Sequence, residues 1–167
     1  AEQSGFIMDM GYETYQKILA EAMDELGVET GISTAHTDDS FVEDCTIETD
    51  QPAMIPDSYI DITAEKIRIY KQLDSMTSDK EIDRIKSQLV DRFGDMPSEV
   101  DNLFDVVKIR NLGGKLGFEK IIIKNGMMIM FFIANQMSPY YKSKVFSGIL
   151  QNINANDQLF NLKQSEG

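Results

Sequence analysis

The chain holds one cysteine and one histidine in 167 residues, and its longest run of large apolar side chains is the short stretch Met127 to Ile133. Each shortage excludes something. A single Cys45 rules out an internal disulfide framework and fits a reducing compartment, so a cytoplasmic setting is expected. The Met127 to Ile133 run falls far short of the roughly 20 residues a membrane-spanning helix needs, and no basic-then-apolar signal pattern opens the chain, so no membrane contact is expected. His36 lies in a polar stretch without a partner at a defined spacing, and Cys45 follows Glu43-Asp44, whose charges raise a thiol pKa; a nucleophile-base pair is not expected. Asp38-Asp39 and Glu43-Asp44 offer oxygen donors but lack the alternating spacing and glycine of a calcium loop. Gly113-Gly114-Lys115-Leu116-Gly117 lacks the spacing and the strand-to-helix placement of a phosphate-binding loop. No catalytic residue, cofactor-binding residue or metal ligand is therefore assigned, and the chain reads as an interaction domain, not an enzyme.

Basic residues are missing where acids are densest. Residues 18–65 contain thirteen Asp or Glu and no Lys or Arg, whereas the remainder balances fifteen acids against sixteen bases, so the whole net charge of −12 arises in one segment. Such a surface repels a phosphate backbone and attracts a basic protein, which argues against direct nucleic-acid binding. The plainer reading is a solvated loop that aids solubility. The rest of the composition, 42% hydrophobic and 26% charged, is that of one globular domain with an attached element.

Periodicity divides the chain. Tyr12, Tyr15, Ile18, Leu19, Ala22, Met23 and Leu26 recur at three- and four-residue steps, predicting a long first helix within Phe6 to Leu26 that ends at Gly27. Residues 28–40 are poor in large apolar groups and read as a loop. Phe41 to Thr49 alternates loosely, as a half-buried or edge strand protected by its charges. Three helices should follow: one capped by Asp61 with Ile67, Tyr70 and Leu73 inward, one opened by the Ser78 and Glu81 capping box and closed by Gly94, and one begun at Pro97. Gly113, Gly114 and Gly117 should wind the third down. A hairpin turning at Asn125-Gly126 comes next, then a helix from Ser138-Pro139 to about Ile153 and a strand over Gln158 to Lys163. The Met127 to Ile133 strand is apolar on both faces, so cover on both sides is expected, with a docking surface as the other reading. The fold class is α+β, a helical cluster packed with a small antiparallel sheet and preceded by a long linker helix.

Within the second helix, Asp91 and Arg92 carry the most information. Arg92 suits the negative end of the helix dipole while Asp91 opposes it, so Asp91 should have a compensating partner: either Arg92 or a loop amide nearby, or a basic group on another domain.

The order Pro56-Asp57-Ser58-Tyr59-Ile60, Ile67, Tyr70-Lys71, Leu89-Val90-Asp91-Arg92-Phe93-Gly94, Pro97, Leu103, Ile109-Arg110, Leu116-Gly117 resembles the C-terminal domain of bacterial transcription-repair coupling factors, and Glu2-Gln3-Ser4-Gly5 with Gly11-Tyr12 and Tyr15 is similar to the end of that family's translocation motif. The resemblance implies residues 1–26 as a linker helix after a translocase motor and 27–167 as a regulatory domain, truncated at both ends. It further implies a parent that hydrolyses ATP with Mg, displaces stalled RNA polymerase and recruits UvrA for nucleotide excision repair. This domain would pack on a UvrB-like module of the same chain, hide the UvrA-binding surface and repress the motor, without ATP, Mg or nucleic acid of its own. The interdomain contacts carried over are Asp91, at a family acidic position, and Gln88, where the family has an acid. Gln88 removes one charge-assisted contact, so Asp95, Glu99 or the acidic 38–50 segment are candidates to compensate, with Arg92 as a neighbour that positions Asp91. Lys66 stands where arginine is common in the family, and Gly113-Gly114 replaces a better helix former. The reading from another class is a stand-alone acidic adaptor that binds a basic protein.

Overall fold

The computed structural model describes residues 41–163. The helix expected within residues 6–26, the loop over 28–40, His36 and Asp38-Asp39 lie outside them. The described elements are β1 (Thr46–Thr49), α1 (Thr63–Ser75), α2 (Asp79–Phe93), α3 (Ser98–Leu116), β2 (Phe118–Lys124), β3 (Met127–Phe132), a 3-10 turn (Pro139–Lys142) and α4 (Lys144–Ala155). The α+β class holds, but the sheet is mixed. β2 and β3 pair antiparallel, whereas β1 pairs parallel to β2, with Ile47 opposite Ile121. Apolar alternation is the same in either strand direction, so only the return path through three helices decides it. β1 is also shorter than the expected Phe41 to Thr49 strand.

The hairpin turns as its dipeptide requires. Asn125 and Gly126 both have positive φ (53° and 70°), the signature of a type I′ turn. Asp50 then ties the end of β1 to that turn by accepting the Asn125 amide at 2.9 Å.

Helix boundaries follow local chemistry with three differences. α1 is preceded by Ile62, one residue after the expected Asp61 cap, and has no side-chain cap. At α2 the Ser78 hydroxyl accepts the Glu81 amide at 3.3 Å; among the described residues the reciprocal Glu81 bond does not form. α3 does not wind down at Gly113 and Gly114, which are buried within it, and it ends only at Gly117 in the left-handed conformation. Close packing explains the first glycine: a Cβ on Gly113 would sit 2.7 Å from Cys45 Sγ and 2.9 Å from Ile121 Cδ1.

Two apolar clusters share α3. Ile69, Tyr70 and Leu73 of α1, Ile82, Ile85 and Leu89 of α2, and Val100, Leu103, Phe104 and Val107 of α3 form the larger, closed by Ile55 and Ile60. Cys45, Ile47, Phe118 and Ile121 form the smaller, with Val106 and Ile109 of α3 packed on it. Arg110 donates to the Asp74 carboxylate (2.8 Å) and carbonyl (3.2 Å), and Asn111 donates to the Met76 carbonyl (2.9 Å), fastening the α1–α2 turn to α3.

The C-terminal region departs furthest from expectation. The helix expected from Ser138 is split by Ser143, which caps α4 after the 3-10 turn. Gln158 to Lys163 is not a strand; a turn follows α4, and Leu159 and Leu162 are exposed. The expectation that β3 is covered on both sides also fails. Met130 and Phe132 pack on the smaller cluster, while Met127 (68%), Ile129 (50%) and Phe131 (44%) stand exposed. Two-sided cover requires a second layer, and among the described residues no helix packs on the exposed face of β3.

Candidate functional site

The segment bearing Gln88 and Asp91 is the last part of α2, where an amphipathic helix turns its polar side to solvent. Ile82, Ile85 and Leu89 point inward at helical spacing, which places Ser87, Gln88 and Asp91 outward. Gln88 and Asp91, three residues apart, lie on neighbouring turns of one face. With Lys86 and Val90, Ser87 and Asp91 line a shallow depression of about 340 Å³.

The turn that ends α2 is held from several sides. Gly94 has φ +86° and ψ −162°, not the left-handed conformation expected at a helix end but one still open only to glycine, and its amide donates to the Val90 carbonyl at 2.9 Å. A Cβ on Gly94 would meet nothing within 4 Å, so backbone conformation and not space selects the residue. From the loop before α1, the Tyr59 hydroxyl bridges the carbonyls of Leu89 (3.1 Å) and Gly94 (3.0 Å), and its ring lies 5.9 Å from that of Phe93. Burial, then the nearby Asp95 and Asp101 carboxylates, push the Tyr59 pKa upward, which keeps the hydroxyl protonated as a donor. Asp57 in the same loop pairs with the buried Lys66 of α1.

Electrostatics at this end separate Asp91 from its neighbour. Arg92 lies 3.5 Å from Glu65 of α1 and holds its guanidinium carbon 4.8 Å over the Phe93 ring. Glu65 is shared with Arg68 at 2.8 Å, and hydrogen bonds first from Arg68 and then from Arg92 lower its pKa. Lys86 is committed to Asp101 at 2.8 Å. Among the described residues Asp91 has no ion pair and no side-chain hydrogen bond, and neither does the Gln88 amide. Arg92 does not neutralise Asp91; it fixes the helix end through Glu65 and Phe93.

The other expected contact residues are placed differently. Asp95 is exposed in the turn between α2 and α3. Glu99 is half-buried in the first turn of α3, where its carboxylate accepts from Ser98 (3.4 Å) and its carbonyl from the Met54 amide (3.2 Å). In the acidic segment, Glu48 pairs with Lys120 at 2.8 Å and Asp50 receives Asn125, so these two carboxylates hold the sheet together. Tyr59 and Glu65 were not singled out from spacing or composition; a tyrosine in a loop and a glutamate in a first helical turn have no pattern that marks them as bracing a distant helix end. Among the described residues no group of three or more His, Cys, Asp or Glu could hold a metal, and no helix is long and apolar enough to cross a membrane. The arrangement suits docking: one unpaired carboxylate and one amide on a rigid helix face.

Known proteins share this arrangement of sequence and fold. The profile of the TRCF domain matches residues 49–143. The transcription-repair-coupling factor of Rickettsia typhi is 35% identical over 138 residues, which are 82% of this chain and 12% of that protein. That of Escherichia coli K12 is 30% identical over 141 residues, 83% of this chain and 12% of its own length, and that of Staphylococcus haemolyticus 36% over 109 residues, 65% and 9%. The chain thus spans about an eighth or less of the curated relatives it matches. A crystal structure of the C-terminal domain of transcription-repair coupling factor matches with a TM-score of 0.56 over 74% of both chains at 22% identity, a likeness of fold.

Proposed function

The chain belongs to the TRCF domain family of transcription-repair coupling factors, and from that premise we propose that it is the restraint of such a factor. In this reading the parent is an ATP- and Mg-dependent DNA translocase that displaces stalled RNA polymerase. The domain packs on a UvrB-like module of the same chain, covers the surface that would bind UvrA, and holds the motor repressed until polymerase is engaged. ATP and Mg belong to the motor, and this domain contributes protein contacts only.

The observation that carries the proposal is Asp91: a carboxylate without a cation among the described residues, on a helix end where the nearby cations Lys86 and Arg92 are already paired with other acids. A contact made only in the closed state shifts the equilibrium by its whole free energy, whereas one made equally in both states shifts nothing. An interface of roughly 600–1,500 Å² is typical between domains, and a bias of about 1–3 kcal/mol gives about 5- to 150-fold regulation. One charge-assisted bond from Asp91, a neutral one from Gln88 and apolar cover over Val90 are of the right size. The adaptor reading is less well supported, because Glu48 and Asp50 are used inside the sheet.

Charge reversal tests this directly. In the intact coupling factor, Asp91→Arg is expected to raise UvrA binding and polymerase-independent ATP turnover by about fivefold or more. Unchanged values for both would remove Asp91 from the restraint.

A further inference from the structure

We infer that Tyr59 is the positioning residue of the Asp91 contact, its hydroxyl holding the last turn of α2 wound so that the carboxylate is presented in one direction; this rests on the reading of Asp91 above. The two carbonyls it bridges, Leu89 and Gly94, flank Asp91 in sequence and enclose the whole turn that carries it. Helix ends fray because their last carbonyls have no amide partner within the helix. Past the last helical residue, Phe93, the turn is closed by the Gly94 amide on the Val90 carbonyl, made by a glycine at φ +86°, and the Gly94 carbonyl itself lies beyond the helix. A single proton shared between two carbonyls closes that turn from outside, and the donor sits on a loop anchored independently. Its amide donates to the Pro56 carbonyl at 3.0 Å, and the neighbouring Asp57 is clamped by buried Lys66. Phe93 of the same turn touches both the Tyr59 ring, in a tilted arrangement at 5.9 Å, and the Arg92 guanidinium, 4.8 Å from its ring centroid. Pre-organisation of this kind saves the ordering cost that an unfixed helix end would incur on docking.

Tyr59→Phe keeps the ring and deletes only the donor. In the intact coupling factor it should raise polymerase-independent ATP turnover by about threefold, the size of one modest hydrogen bond. On an Asp91→Arg background, where there is no contact left to position, it should add nothing. A rise of equal size on both backgrounds would mean that Tyr59 acts through general stability and would overturn the positioning role. No rise from Tyr59→Phe alongside a clear rise from Asp91→Arg would also overturn it, while leaving the restraint intact. No response to either variant would remove the restraint itself, and the positioning role with it.

Discussion

The helical layer and the sheet layer are built to different standards around one shared helix. On the α1–α2 side of α3, twelve buried side chains interlock, with Leu73, Ile82, Val100, Leu103 and Val107 at 0% exposure. On the other side, among the described residues, only Cys45, Ile47, Phe118 and Ile121 are buried as a cluster, α4 has no buried residue, and five side chains of β3 and the following loop, among them Met127 and Met137, are exposed. The candidate contact surface lies on the well-packed side. A surface that must present one carboxylate in a fixed direction needs a rigid support, and the support here is the larger core, reached through Leu89 and braced by Tyr59. The sheet layer hangs on α3 through a few close approaches, chiefly Gly113 against Cys45 and Gly117 against Tyr140.

That contrast can be broken by mutation. Truncating the centre of the larger core has the greatest expected effect: Leu103→Ala, at 0% exposure, should cost about 2–5 kcal/mol, read as a lower urea midpoint with an unchanged slope. A loss under about 1 kcal/mol would mean that the helical layer is not the stability centre. Next comes Gly117→Ala. Its backbone sits at φ +85°, and a Cβ would meet the Tyr140 ring at 2.2 Å, so an expected loss of about 1–3 kcal/mol combines strain with a clash. Amide exchange should then quicken in β2, β3 and α4 more than in α1 and α2; uniform quickening would show that the two layers unfold as one.

The smallest effect is titration of the buried thiol. Burial first, and the Asp44 charge second, push the Cys45 pKa up to about 11 against an opposing pull from Arg110. An unfolded chain would ionise this thiol at its ordinary value of 9.0, so the folded state binds the proton more tightly. Stability from Cys45 is therefore present in full below pH 9 and is lost as pH rises towards 11. The stability difference between the parent chain and Cys45→Ala should shrink over that window and stay constant between pH 6 and about 8.5; a flat difference throughout would show the thiol to be solvated.

Legibility followed the range of the interaction. Ser78, Gly94, Pro97 and Asn125-Gly126 act on their own neighbours, so helix starts, a helix end and a hairpin could be read from residue type alone. Gly113 misled for the complementary reason: glycine inside a helix reads as a terminator unless the side chain it makes room for, Cys45, is known to lie against it. The exposed face of β3 was misread likewise, since an apolar strand states a need for cover but not whether a second layer exists. At the candidate site, the outward position of Gln88 and Asp91 followed from helical period. That Arg92 turns to Glu65 instead of Asp91 did not.

What the sequence determined by itself is the set of elements, the family signature and the polar face of α2, because these arise from local conformational preference and the 3.6-residue period. The tertiary structure alone decided that β1 runs parallel to β2, that Tyr59 closes the end of α2 from thirty or more residues away in sequence, and that Asp91 is left without a cation among the described residues. Each of those depends on which distant groups meet in space. An arginine with several carboxylates within reach is assigned only when packing sets the distances, since Coulomb attraction falls with separation and the aromatic surface of Phe93 favours one side.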